Sequence, residues 1–147
     1  MSDATPATAP HFEHAVRSRV SEIAHLLEAL ARWGETVGVP LPVLSRMELM
    51  LDELVTNIIV HGYRHDHGRI ELQAQVLGQA LHVTLRDYAF AYDPLQAPEP
   101  DTALALEDRS IGGLGVHFVR RMADQVHYQR VLHHGQEANE LLIVKRF

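Results

Sequence analysis

Two polar residues four positions apart, Glu53 and Asn57, stand inside the run Glu48 to Tyr63, ELMLDELVTNIIVHGY. At about 100° per residue, Val43, Met47, Met50, Leu51, Leu54 and Ile58 form one apolar stripe, which predicts a helix packed on a core. Ser45, Glu48, Asp52 and Thr56 gather on a second, hydrophilic face. Glu53 and Asn57 lie roughly 115° from that face and border the apolar stripe. A carboxylate and an amide at this spacing project side by side. At a core border they cost free energy unless something bonds to them, and a bound cation with its ligand would meet that cost. Two plainer arrangements compete: Glu53 bonded to a nearby backbone or arginine, and Asn57 capping a loop.

A second candidate is Gly112-Gly113-Leu114-Gly115, followed by Val116, Val119, Met122 and Ala123 at helical spacing. Free backbone N–H groups at a helix start, approachable where glycine has no side chain, suit phosphate. The plainer reading is a tight turn between loop and helix.

The elements that would position these groups are legible from periodicity. Met1 to Pro10 is small, polar and proline-containing and predicts a frayed tail, leaving 11–147 as one domain. A short strand is expected from Phe12 to Val16. A first helix then runs from Ser18 through Val20, Ile23, Leu26, Leu27, Leu30 and Trp33 up to Gly34. The central helix can begin at Pro42 and should stop near Gly62. Alternation over Arg69 to Leu77 and Leu81 to Asp87, broken at Gly78-Gln79, predicts an antiparallel hairpin. Ala89 to Ile111, with Pro94, Pro98 and Pro100, reads as a long irregular loop of the kind that forms lids. Two last strands, Val126 to Leu132 and Glu140 to Phe147, should join across His133-His134-Gly135.

Whole-chain properties narrow the function. A chain of 147 residues with 46% hydrophobic content can bury a core as one domain. A net charge of −6 with scattered Lys and Arg argues against a nucleic acid held through its phosphates. The absence of cysteine rules out disulfides and thiolate metal sites and suits a reducing cytosol. With no run of roughly 20 apolar residues and no leader-like N-terminus, a cytoplasmic protein is expected. His61, His65 and His67 could hold zinc as in a metal hydrolase, but the neighbouring Gly62 and Gly68 favour loop histidines near a helix end. There is no GxxxxGK[ST] loop and no HRD or DFG sequence.

In this order the boxes D-E-L-V-T-N with H-G-Y, the hairpin ending at Asp87, Y-D-P, and G-G-L-G-V with M-A-D-Q-V resemble the GHKL (Bergerat-fold) ATP-binding domain. Within it they are most similar to the branch of anti-sigma factor serine/threonine kinases, over roughly Phe12 to Phe147. The resemblance implies an α+β two-layer sandwich, a mixed, largely antiparallel sheet covered on one face by helices, with ATP between the helices and the lid. It implies that Asn57 holds Mg²⁺, that Glu53 activates an attacking hydroxyl or water, and that Asp87 accepts a hydrogen bond from the adenine amino group. Gly112, Gly113 and Gly115 would lie beside the phosphates, with Arg109 of the lid a possible phosphate contact by charge and position. The implied partner is a STAS-domain anti-anti-sigma protein, with a sigma factor as a second one, and members of the branch often form homodimers.

One position departs from the pattern. Where the family's aspartate box reads D-x-G, this chain has Asp87-Tyr88-Ala89, so a methyl group is expected close to adenine. If that position requires positive φ, alanine would be strained and nucleotide affinity reduced. That departure supports a second function, a GHKL-derived module that binds a sigma factor or STAS protein without catalysis.

Overall fold

The computed structural model describes residues 10–96 and 113–147. Strand β1 (His11–Arg17) leads through helix α1 (Val20–Thr36) into helix α2 (Leu41–Asn57), which widens into a π-type turn over Ile58–Gly62. The hairpin β2 (Arg69–Leu77) and β3 (Ala80–Asp87) follows, then helix α3 (Gly113–Met122) and the hairpin β4 (Gln125–His133) and β5 (Gln136–Arg146). The sheet order is β1-β2-β3-β5-β4.

Every described strand pair is antiparallel, so the largely antiparallel sheet expected from the resemblance forms, with no parallel pair among the described strands. The connectivity explains it. Two helices separate β1 from β2, and one helix and one strand separate β3 from β5, so in each case the chain re-enters the sheet in the opposite direction. The other two pairs are tight hairpins, antiparallel by construction.

The core lies between the helices and one face of the sheet. Leu26 and Leu30 of α1 and Met47, Met50, Leu51 and Leu54 of α2 pack with Ile70, Leu72, Leu81, Val83, Leu85 and Ile143 of the strands. These are the apolar periodic positions of the sequence, and each buried Leu or Met contributes about 2–5 kcal/mol on the scale of its replacement by Ala. Gly34 does not end α1. It lies buried within the helix, which continues to Thr36, and a Cβ there would stand 2.4 Å from Leu44 Cδ2, so the missing side chain lets α1 and α2 approach.

Three further boundaries differ from the sequence reading. Pro10, assigned to the tail, accepts a backbone hydrogen bond from Val76 N–H at 3.3 Å; the rest of the tail, 1–9, lies outside the described residues. Gly62 is not the residue that reverses the chain after α2. Its φ is not positive; the left-handed positions are Arg64 (φ 53°) and His65 (φ 66°), and His65 N–H closes the turn onto Ile59 O. Strand β5 begins four residues before Glu140, which brings Asn139 into the sheet.

Candidate functional site

Helix α2 owes its register to the deep burial of Met47, Met50, Leu51, Leu54 and Val55. With these turned inward, Asn57 comes to the inner end of the helix and is only 6% exposed. Its side-chain amide is not hydrogen-bonded to any described residue. It opens onto a cavity lined also by Leu54, Ile58, Gly62, Leu85, Asp87, Tyr92, Pro94, Tyr128, Asn139 and Leu141. The wide turn Ile58–Gly62 carries the chain round the mouth of this cavity; single π-type turns of this kind are frequent at functional sites.

Glu53, one turn earlier, is exposed, contrary to the expectation that both residues sit at the buried border. It leaves the core because it crosses to α3 instead. A Cβ on Gly115 would lie 2.2 Å from Glu53 Oε2 and 2.9 Å from Glu53 Cβ. Only glycine fits against the glutamate at this point. The two lie in an open groove with Leu49, Asp52, His117, Phe118 and Arg121. A carboxylate beside the first turn of a helix is placed favourably with respect to the helix dipole. The structure therefore joins the Glu53 box to the glycine turn through Gly115. Gly113 opens α3, whereas Gly112 and Arg109 lie outside the described residues.

Asp87 closes β3, where alternation turns its side chain to the helix face beside Leu85. One carboxylate oxygen, Oδ1, accepts from Ala89 N–H at 3.0 Å and from Asn139 Nδ2 at 2.9 Å. Oδ2 accepts no hydrogen bond from a described residue. Burial pushes the Asp87 carboxyl above its ordinary value, opposed by the bonds from Asn139 and Ala89 and by the charge of Arg130. An apolar cavity with a buried acceptor on one wall suits a flat heterocycle carrying an exocyclic amine.

Ala89 has an ordinary backbone conformation and does not line the cavity. A Cβ on Gly62 would meet the Ala89 methyl at 3.5 Å, ordinary van der Waals contact, so the methyl is turned towards Gly62. The strain expected of alanine at this position is absent.

Four supporting residues escaped the sequence reading of the site. Tyr63 donates its hydroxyl to Arg69 O at 2.6 Å and accepts from Tyr88 N–H at 2.8 Å, tying the end of the helix to the start of β2 and to the end of β3 beside Asp87. Its ring occupies the space a side chain on Gly68 would need, with Cε1 only 2.1 Å from the position of a Cβ. Asn139 pairs with Asp87 across β3–β5, and its Oδ1 accepts from Tyr128 Oη at 2.5 Å and Arg130 Nη1 at 3.1 Å. A polar residue in phase with the inward Leu141 and Ile143 is the available signal, hidden because the expected strand begins at Glu140, four residues after the strand's actual start. Among the described residues no three His, Asp or Glu side chains converge as a metal site, and no helix is long and apolar enough to cross a membrane.

Comparison with known proteins agrees with this architecture. Residues 16–145 match the family described as the histidine kinase-like ATPase domain, and the chain belongs to that family. It is 32% identical over 85 residues to the serine/threonine-protein kinase BtrW of Bordetella bronchiseptica, covering 57% of this chain and 60% of that protein. It is also 23% identical over 93 residues to the anti-sigma F factor of Anoxybacillus flavithermus, covering 63% of this chain and 64% of the relative. The matched region thus spans somewhat under two thirds of each of these proteins.

Proposed function

We propose that the protein is an ATP-dependent serine/threonine protein kinase of the anti-sigma type, which transfers the γ-phosphoryl group to a hydroxyl on a STAS-domain partner in the cytoplasm. Family membership implies ATP as the nucleotide, and the similarity to a serine/threonine kinase and an anti-sigma factor supports the acceptor and the regulatory setting. The observation that carries the reading is the placement of Asn57 and Asp87 on the walls of one buried cavity, with Glu53 four residues from Asn57 and against Gly115.

In this reading Asp87 accepts the adenine amino group on Oδ2, its other oxygen being held by Asn139 and Ala89. Leu54, Ile58, Leu85 and Leu141 exclude water around the base. The side-chain oxygen of Asn57, with no hydrogen bond to a described residue, suits a hard cation that takes oxygen ligands, and Mg²⁺ held there would neutralise phosphate charge. Glu53, exposed in its groove, can reach an incoming serine or threonine hydroxyl and orient it or take its proton. Gly112, Gly113 and Gly115 would offer backbone N–H groups to the phosphates, with Arg109 a further cation for them. A sigma factor would be a second partner, competing with or following the STAS protein.

The alternative, a module that binds a sigma factor or STAS protein without catalysis, is less favoured because Ala89 has no positive φ and its methyl packs towards Gly62 at ordinary contact distance. Calorimetric titration with ATP and Mg²⁺, beside Asn57→Ala, tests binding; phosphate transfer to a STAS-domain protein tests the reaction. Saturable binding weakened by the substitution, followed by transfer to serine or threonine, is expected. Binding without transfer to any such partner would overturn the kinase assignment.

A further inference from the structure

The cavity wall opposite α2 holds Asp87 through Asn139, and the bonds that orient Asn139 itself go beyond the proposed chemistry. Asn139 is only 6% exposed, and all of its side-chain bonding capacity points to one region. Its Oδ1 accepts from Tyr128 Oη at 2.5 Å, from Arg130 Nη1 at 3.1 Å and from Tyr92 N–H at 3.3 Å. Three donors on one oxygen fix the amide's orientation, because a flipped amide would aim its NH₂ at all three. The Nδ2 group must then face the opposite way. There it donates to Asp87 Oδ1 at 2.9 Å and to Phe90 O at 2.9 Å, and Arg130 Nη1 also donates to Ala89 O at 2.9 Å.

We infer that Asn139 is the positioning residue for base recognition: it occupies Asp87 Oδ1, leaves Oδ2 as the acceptor for the base, and clamps the segment Ala89–Tyr92 to the same point. Recognition of the 6-amino group and the position of the chain leaving β3 are thereby one mechanical unit. The inference rests on the ATP reading of the cavity. It goes beyond that reading in assigning the choice of base to a residue on β5 that acts through Asp87. An acceptor fixed in this way favours a purine with a 6-amine and gains nothing from a purine without one.

Asn139→Asp tests this, because it is isosteric and keeps the oxygen that Tyr128, Arg130 and Tyr92 bond, while replacing the donor that faces Asp87 with an acceptor. Tyr128→Phe, which removes one of the three orienting donors, is the milder second variant. Affinities for ATP and for purine ribonucleoside triphosphate, which lacks the 6-amine, are measured at pH 7, with circular dichroism confirming the fold. Asn139→Asp should weaken ATP by about 10-fold or more while changing the purine analogue less than about 3-fold, and Tyr128→Phe should move the ratio the same way by less. Equal losses for both nucleotides, or no loss, would overturn the inference and leave Asn139 as a structural tie.

A readout in the free protein separates this from failure of the ATP reading. Asp87 is faced by Asn139 of β5, by Arg130 and Tyr128 of β4, by Tyr63 after α2 and by the Ala89 N–H. Carboxyl-carbon NMR of Asp87 without nucleotide should show its titration moving to higher pH in Asn139→Asp. A wild-type protein that binds neither nucleotide overturns the ATP reading and the inference with it, whereas nucleotide binding with an unmoved Asp87 titration overturns the inference alone.

Discussion

Glu53 of α2 and Gly115 of α3 are in contact such that any side chain on the second would overlap the first: a Cβ there would stand 2.2 Å from Glu53 Oε2 and 2.9 Å from Glu53 Cβ. The carboxylate end could rotate away, but the Cβ contact lies near the backbone of α2, so the helices would have to part. Gly115→Ala is therefore expected to cost about 1–3 kcal/mol of stability, as overpacking does. By displacing Glu53 it should also reduce phosphate transfer far more than it reduces ATP binding. Denaturant unfolding beside calorimetry and a transfer assay checks this, and unchanged transfer would detach Glu53 from the reaction.

Glu53→Gln removes what the kinase proposal makes the proton acceptor, with almost no change in shape and at an exposed position where the fold does not depend on it. Transfer should fall by roughly 10²–10⁴-fold while ATP affinity and melting temperature stay near wild type. Single-turnover transfer with saturating ATP is the measurement.

Asp87→Asn should separate stability from recognition. Burial raises the Asp87 carboxyl above its ordinary value, so the folded protein holds this proton more tightly than the unfolded chain. The sign follows: stability from this group is greatest at low pH and declines as pH rises through the raised value, leaving a neutral-pH protein that bears a buried carboxylate. Asparagine keeps an oxygen for Ala89 N–H and Asn139 Nδ2 without that charge. Its melting temperature should match or exceed wild type at pH 7, with the difference shrinking towards acid pH, while ATP affinity falls by about 10-fold or more. ATP binding to the wild type should weaken on acidification through the same window.

Tyr63→Phe deletes the hydroxyl that donates to Arg69 O and accepts from Tyr88 N–H. Leaving the part-buried Tyr88 N–H unpaired should cost about 1–3 kcal/mol. Because Tyr88 follows Asp87 directly, ATP affinity should fall as well, measurable by thermal shift and calorimetry. A variant as stable as wild type would mean that water replaces the hydroxyl.

Ala89→Gly restores the residue usual in the family, yet it should not improve binding, since Ala89 is not among the residues lining the cavity and its methyl makes an ordinary contact towards Gly62. The expected result is ATP affinity within about 2-fold of wild type and a stability loss of about 0.4–1 kcal/mol from the freer unfolded chain. A tenfold gain in affinity would show that the methyl obstructs the base.

Periodicity carried most of the fold because the same residues that repeat in the sequence are the ones the core buries. Met47, Met50, Leu51 and Leu54 mark α2, and Ile70, Leu72, Leu81, Val83 and Leu85 mark the central hairpin. The glycines were harder to interpret, since a residue with no side chain can serve a turn or a close approach and looks the same in both. Gly34 was assigned to a helix end and Gly62 to a helix stop, whereas Gly34 admits Leu44 and the reversal falls on Arg64 and His65.

The sequence by itself determined the elements, the family-like order of the boxes, and the pairing of Glu53 with Asn57 on one helix, since all of these depend on spacing along the chain. Tertiary structure decided what lies across from each group. It buried Asn57 but left Glu53 exposed against Gly115, packed the Ala89 methyl towards Gly62, and set Asn139 beside Asp87, 52 positions away in the chain. Those contacts arise from strand register and helix packing, in which residues remote in sequence share one cavity wall, and no local pattern encodes them.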